Sequence, residues 1–395
     1  MRLVEVSASK LQPGMFIAEL DRPWLETPFA LQGFVVHDHD EVMYISMYVD
    51  SVYVDIDYKG SRVFLPRNKR PSNVSHPASN GLKLKTDFEQ AKLSFESASQ
   101  SLDRVFESIS NGRHTDINVI KKSVQPLLDG VFKNKDAVAA LVRLKEASDY
   151  RYNHGISMAV WGAILGRHIG LQRDELEKLV VGCAMSDVGM TTLPDELIKQ
   201  SNTLTTQQRE AILDHPIVGS QMINSSGGAD IEVLAIIENH HERHDGSGYP
   251  RGLEGTTIPL LARIAGLVDT YDAMITHRPY APARSSYEAV QELIDAKGQL
   301  FQDALVEQFV QAIGLFPTGS LVELNTGEVA IVVKQNSIRR LKPEVVVVLD
   351  RNKNRITPLD LVNLGASNMV GSDARWIARE LQAGTYGISS EEFFI

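Results

Sequence analysis

A single cysteine, Cys183, stands in a chain of 395 residues. An internal disulfide is therefore excluded, and such usage fits a reducing compartment. With no CxxC pair, a zinc knuckle is excluded too. Nowhere do 18 apolar residues run together, and the opening MRLVEVSASKLQPGM has no apolar h-region. Neither a spanning helix nor a secretory leader is expected, which points to the cytoplasm. An excess of positive charge is missing as well, since 40 Lys and Arg against 50 Asp and Glu leave a formal net charge of -10. That balance argues against broad binding to nucleic acid or an anionic membrane. Any anionic ligand has to be held by a metal or by a few placed cations. Cys183 itself lies in the apolar run LVVGCAM and is expected to be a buried thiol.

What is present divides into three parts, a multidomain α+β arrangement. Residues 1–65 read as a small β-rich unit, with MFIAEL, GFVVHD, VMYISM and SVYVDIDY as strand-like segments between turns. Residues 66–83, beginning PRNKRPSNVSHPASNG, are polar and aperiodic and read as a linker. Residues 84–315 are helical in pattern. In NHGISMAVWGAILGRHIG, His154, Met158, Trp161, Leu165 and His168 fall at steps of three and four, which predicts one helix face. Pro194 and Pro216 suit helix openings, where a missing N–H costs least. The helices of 84–130 either form a linker bundle or dimer contact, giving a homodimer, or pack against the helical core. Residues 316–395 return to strands, with GSLVEL, VAIVVK and PEVVVVLD forming a short C-terminal β segment.

Chemistry concentrates in the histidines, seven of the eleven lying between 154 and 277. His with Asp and Glu is the ligand set of borderline divalent metals, and a carboxylate-rich site favours iron or manganese over zinc. His240 and His241, adjacent at the end of the apolar helix in DIEVLAIIENHH, can reach one cavity, because the second residue leaves helical geometry. Asp269 sits in ARIAGLVDTYDAM, where a buried carboxylate needs a cation, and Asp272 is placed to support the site from behind. His168 reads as a packing or surface residue, and His37 and His39 as a solvated turn.

The stretch HHERHDGSGYPRGLEGTTIP, followed by ARIAGLVDTYDAMITHRPY, closely resembles the HD-GYP domain, the branch of the HD superfamily that hydrolyses cyclic di-GMP in bacteria. The segment LQPGMFIAELDRPWLETPFALQGF resembles the small domain of unknown function that often precedes it. The resemblance implies a central all-α bundle whose metal ligands are His154, Asp187, His215, His240, His241 and Asp269. It makes Asp187 the catalytic ligand of the HD pair. Arg278 and Tyr249 become substrate contacts, with Gly248, Tyr249 and Pro250 as a lip and a docking face for a diguanylate cyclase domain. Three departures stand out. The family's HDxGK is Ser186-Asp187-Val188-Gly189-Met190 here, the basic residue after RPY is Ala281, and the glutamate of trinuclear members is Tyr150.

In a two-metal phosphodiesterase the ions lie roughly 3.5–4 Å apart and share the nucleophilic hydroxide. The resemblance leaves one position complete (Asp187, His215, His240 and His241). The other keeps only His154, Asp187 and Asp269. Losing a first ligand costs at least the roughly 10–100-fold typical of an outer partner, and losing the lysine about 10²–10³ in rate. The leading expectation is a degenerate member that holds one divalent ion, binds cyclic di-GMP or a related nucleotide weakly and signals through partners. The alternative is a working metal-dependent phosphodiesterase yielding pGpG or GMP.

Overall fold

Val52 and Val54 are buried while Ser51, Tyr53 and Asp55 are half-exposed, the two-residue period of a strand with one face on a core. The computed structural model describes residues 3–22, 34–36, 39–46, 48–56, 77–113, 115–144, 150–198, 204–225, 229–276, 283–336, 342–365 and 375–388. The N-terminal unit contains β1 (Leu3–Ser7), β2 (Phe16–Leu20), β3 (Phe34–Val35), α1 (His39–Ser46) and β4 (Ser51–Asp55). Its strands pair antiparallel in the order β1-β4-β2-β3. Ile17, Val36, Ile45, Val49 and Val52 anchor a core of its own.

The segment VMYISM is not a strand. It lies largely in α1, because Val42, Ile45 and Val49 fall at helical spacing and all three are buried, while Met43 is exposed. Helical periodicity there overrides the β preference of valine, tyrosine and isoleucine. His39 opens that helix, and His37, His76 and His114 lie outside the described residues.

The helical block follows, with α2 (Pro77–Ser110), α3 (Ile117–Leu144), α4 (Tyr150–His168), α5 (Arg173–Met185), α6 (Asp195–Ile198), α7 (Thr206–Leu213), α8 (His215–Ser225), α9 (Ile231–Asn239), α10 (Leu260–Ile275), α11 (Ser286–Asp295) and α12 (Asp303–Ile313). α2 begins inside the stretch expected as linker. Phe88, Phe95 and Leu102 of α2 and Leu127 and Leu128 of α3 join the core of the later helices, so this pair packs against the bundle. α3 breaks at Asn134 (φ -152°, ψ 90°), whose Oδ1 accepts the Ala137 N–H at 3.1 Å and caps the second half. The expected single stripe on α4 is also corrected. Residues 154–166 are buried on every side and exposure begins with Arg167 and His168 at the end, because α4 is the central helix of the bundle.

After α12 come β5 (Leu321–Leu324), β6 (Val329–Lys334), β7 (Glu344–Leu349), β8 (Arg355–Asn363) and β9 (Ile377–Leu381), an antiparallel sheet in the order β8-β7-β6-β5-β9. β8 and β9 are absent from the sequence reading. β8 is an exposed edge strand carrying Pro358, and it shows no clean alternation. β6 is buried from Val329 to Val333, and its side chains share one core with the helices. Glu380 of β9 pins the junction. It accepts Arg143 Nη2 at 3.2 Å, Ser320 Oγ at 3.0 Å and the Tyr287 backbone N–H at 2.8 Å. Among the described residues no helix is long and apolar enough to cross a membrane.

Candidate metal centre

Each ligand candidate sits where an element ends or two elements cross. α5 stops at Met185, Ser186 caps it, and Asp187 opens the 3-10 turn Val188–Thr192. Gly189 lets this turn lie directly on the start of α8, since a Cβ there would come 2.1 Å from the His215 carbonyl oxygen. His215 opens α8 and His240 caps the end of α9. The side-chain ligand atoms of Asp187, His215, His240 and His241 all fall within 4.8 Å of one another. These are the four residues expected to form the complete position. His154 of α4 and Asp269 of α10 stand beside them. His154 Nε2 lies 2.9 Å from Asp269 Oδ1 and 4.0 Å from Asp187 Oδ2, and His241 Nδ1 lies 3.6 Å from Asp269 Oδ2.

The histidine hydrogen bonds test whether this set fits a cation. His215 Nδ1 faces the Ile212 carbonyl at 2.6 Å, and His240 Nδ1 faces the Ile237 carbonyl at 2.8 Å. A carbonyl only accepts, so both Nδ1 atoms carry hydrogen. In the neutral rings the Nε2 lone pairs then point inward, the tautomer a metal requires. Those two Nε2 atoms are 3.4 Å apart, and His215 Nε2 is 3.3 Å from Asp187 Oδ1. Two bare lone pairs at that distance need a proton or a cation between them. The donor set fits a divalent ion.

The charges agree. Burial, assisted by neighbouring His215, pulls His240 down to about 4, and burial beside His240 also lowers His241 well below its ordinary value. Both are neutral at physiological pH. Burial opposes the charging of His215, but its contact with Asp187 outweighs that and raises it. For His154, hydrogen bonds to Asp269 and Asp272 overcome burial and lift it to about 10. Burial alone would raise Asp187 and Asp269, yet the surrounding imidazoles hold both carboxylates well below the usual range. Access is one-sided. The side chains of Asp187 and His241 keep 20% and 17% exposure, against 3% for His215 and 0% for His240.

Ser186 takes no part. It is fully buried, and its hydroxyl donates back to the Gly182 carbonyl at 2.9 Å. Met190 is half-buried and brings no charge. Among the described residues no lysine or arginine nitrogen pairs with Asp187 or Asp269, whose ion-pair partners are histidines. Arg278 and Ala281 lie outside the described residues, as does the side chain of Tyr150.

The lip is held from below. Tyr249 stacks on His241, ring centroids 4.6 Å apart at 23°. Gly248 is required by close approach, because a Cβ there would meet Arg243 N at 2.3 Å and the His241 carbonyl at 2.5 Å. Glu242, which sequence reasoning passed over, is buried and accepts the backbone N–H groups of Arg251 at 2.7 Å and Leu253 at 2.9 Å. Arg243 donates to the carbonyls of His240 and Glu242 at 3.1 and 3.0 Å. Nothing in the sequence separates these supporting roles from ordinary surface charge except adjacency to the histidine pair. Asp272 stands behind His154, as expected, its Oδ2 2.8 Å from Nδ1.

A model of the HD domain matches residues 136–305, and one described as a domain of unknown function, DUF3391, matches residues 3–120. The chain thus carries a segment similar to the HD domain at residues 136–305. The Gly248-Tyr249-Pro250 lip lies within the residues matched by the HD model. A cyclic di-GMP phosphodiesterase of Pseudomonas aeruginosa is 27% identical over 373 residues, covering 92% of this chain and 89% of that protein. The cyclic di-GMP phosphodiesterase response regulator RpfG of Xanthomonas campestris pv. campestris is 34% identical over 193 residues. That alignment takes in 46% of this chain and about half, 51%, of the regulator. A solved HD-GYP-type protein of Bdellovibrio bacteriovorus aligns with TM-score 0.48 and 16% identity over 78% of this chain and 98% of that one.

Proposed function

We propose that this chain is an HD-GYP member that holds one divalent ion, iron or manganese, on Asp187, His215, His240 and His241. It binds a cyclic dinucleotide, cyclic di-GMP first, over the open side of that centre and hydrolyses it far more slowly than a two-ion member. The observation that carries this reading is Ser186, a fully buried neutral hydroxyl, a poor metal ligand, that donates to the Gly182 carbonyl where the resemblance expects a histidine. The second position then has only His154, Asp187 and Asp269. A bound ion supplies Lewis acidity toward a phosphoryl oxygen and lowers the pKa of a bound water. The chain's own residues do the rest. Asp187 orients the cluster, Tyr249 offers an aromatic face beside His241, Arg278 is the cation assigned to the phosphate, and neutral Met190 leaves developing negative charge uncompensated. The Gly-Tyr-Pro face is offered for docking a diguanylate cyclase domain.

The test is a comparison of the purified chain with Ser186→His/Met190→Lys. We expect one ion per chain against two, and cyclic di-GMP hydrolysis at least ~10²-fold faster in the double variant. Wild-type turnover equal to that of the double variant would refute degeneracy. It would leave the second reading, a working phosphodiesterase making pGpG or GMP, which the names of the relatives favour. In that case His240→Ala removes both the ion and the activity.

A further inference from the structure

We infer that Trp161 is a positioning residue for the His154 side of the metal centre, acting through Asp272. His154 and Trp161 are two helical turns apart on α4 and point at the same carboxylate. Asp272 Oδ2 lies 2.8 Å from His154 Nδ1, and Asp272 Oδ1 accepts the Trp161 indole N–H at 3.1 Å. Asp272 is 1% exposed and Trp161 is fully buried. A buried carboxylate with a donor on each oxygen is held in one orientation, and it in turn fixes the imidazole. With Nδ1 tied to Asp272, the His154 ring presents Nε2 to Asp269 and Asp187. The indole is itself braced. Tyr271 meets it edge-on at 5.4 Å and 87°, and the Tyr271 hydroxyl lies 3.2 Å from Ser286 Oγ. Packing alone would be satisfied by any large apolar ring, so the aim of the N–H at a buried acid is the informative feature.

The inference rests on the single-ion reading only in its second measurement. The first uses the metal-free full chain with 15N-labelled histidine, Trp161→Phe, and a chain carrying 3-benzothienylalanine at 161. That residue keeps the shape of indole and removes the N–H, so it guards against a folding defect. We expect the ring resonances that disappear in His154→Ala to shift in both chains while those of His215 and His240 stay. Unmoved His154 resonances in the benzothienyl chain would overturn the assignment. The second measurement titrates Mn²⁺ into Ser186→His with and without the change at 161. The second ion should weaken by roughly 10–100-fold and the first should not move. Equal weakening of both ions, or of neither, contradicts a positioning role, since a merely structural one acts on both alike. If Ser186→His takes up only one ion, the account of position 186 fails, and Trp161 is decided by the ring resonances.

Discussion

Replacing Glu380 with alanine should destabilise the helical domain, although the residue lies well beyond the end of the HD match. The Glu380 side chain is 3% exposed and that of Arg143 is 16% exposed. Among the described residues Arg143 has Nε and Nη1 buried without a hydrogen-bond partner, and Glu380 is the partner that compensates its charge. Removing the carboxylate strands that guanidinium and also frees Ser320 Oγ and the Tyr287 N–H at the first turn of α11. Breaking a buried pair from one side costs about 3–5 kcal/mol, and the residual exposure of Arg143 places the expectation near the lower end, about 3 kcal/mol. Urea denaturation of metal-free protein, followed by tryptophan fluorescence and circular dichroism, measures it. Arg143→Met/Glu380→Leu should recover most of the loss, because no charge is left buried. A loss below about 1 kcal/mol in Glu380→Ala, or a double variant no better than the single one, would refute the reasoning.

Two further outcomes follow from the site. Gly248→Ala must displace the lip, as its Cβ would sit 2.3 Å from Arg243 N; we expect cyclic di-GMP affinity to fall by about tenfold or more, with the ion retained, and calorimetry on the loaded chain checks this. The metal-free protein should lose stability on the alkaline side, because His154 rises from 6.5 to about 10 on folding. That contribution is complete below pH 6.5 and is lost as pH climbs through about 10, on the order of 3 kcal/mol between pH 6.5 and 9. Urea midpoints in chelator should fall across that window and flatten in His154→Ala; parallel curves for the two proteins would contradict it.

The part of the site legible in the sequence was the part built from rare side chains. His, Asp and the Gly-Tyr-Pro turn stand out by type, and the family resemblance implied six ligand positions before any geometry was known. Four of them, Asp187, His215, His240 and His241, gather around one centre, with His154 and Asp269 beside it. What escaped notice was carried by common residues in supporting roles. Trp161 reads as one more apolar position in a stripe, and only the crossing of α4 and α10 reveals where its N–H points. Glu242 and Glu380 look like surface charge until the backbone N–H groups they accept are in view. The fold followed the same division. Apolar runs such as VAIVVK announce buried strands, whereas β8, exposed and broken by Pro358, and α1, rich in β-branched and aromatic residues, carry weak or misleading local signals.

The described residues form two separate apolar cores, and their border does not coincide with the border between the family matches. The DUF3391 match runs to residue 120 and so includes α2, yet Phe88 of α2 belongs to the core of the HD helices. Inheritance and cooperativity thus divide the molecule at different points. A recombination event or a deletion that respects the family boundary near 120 would tear a helix from the structure that keeps it folded. A cut between the small sheet and α2 would leave each half with its own interior, free to drift in sequence at its own pace.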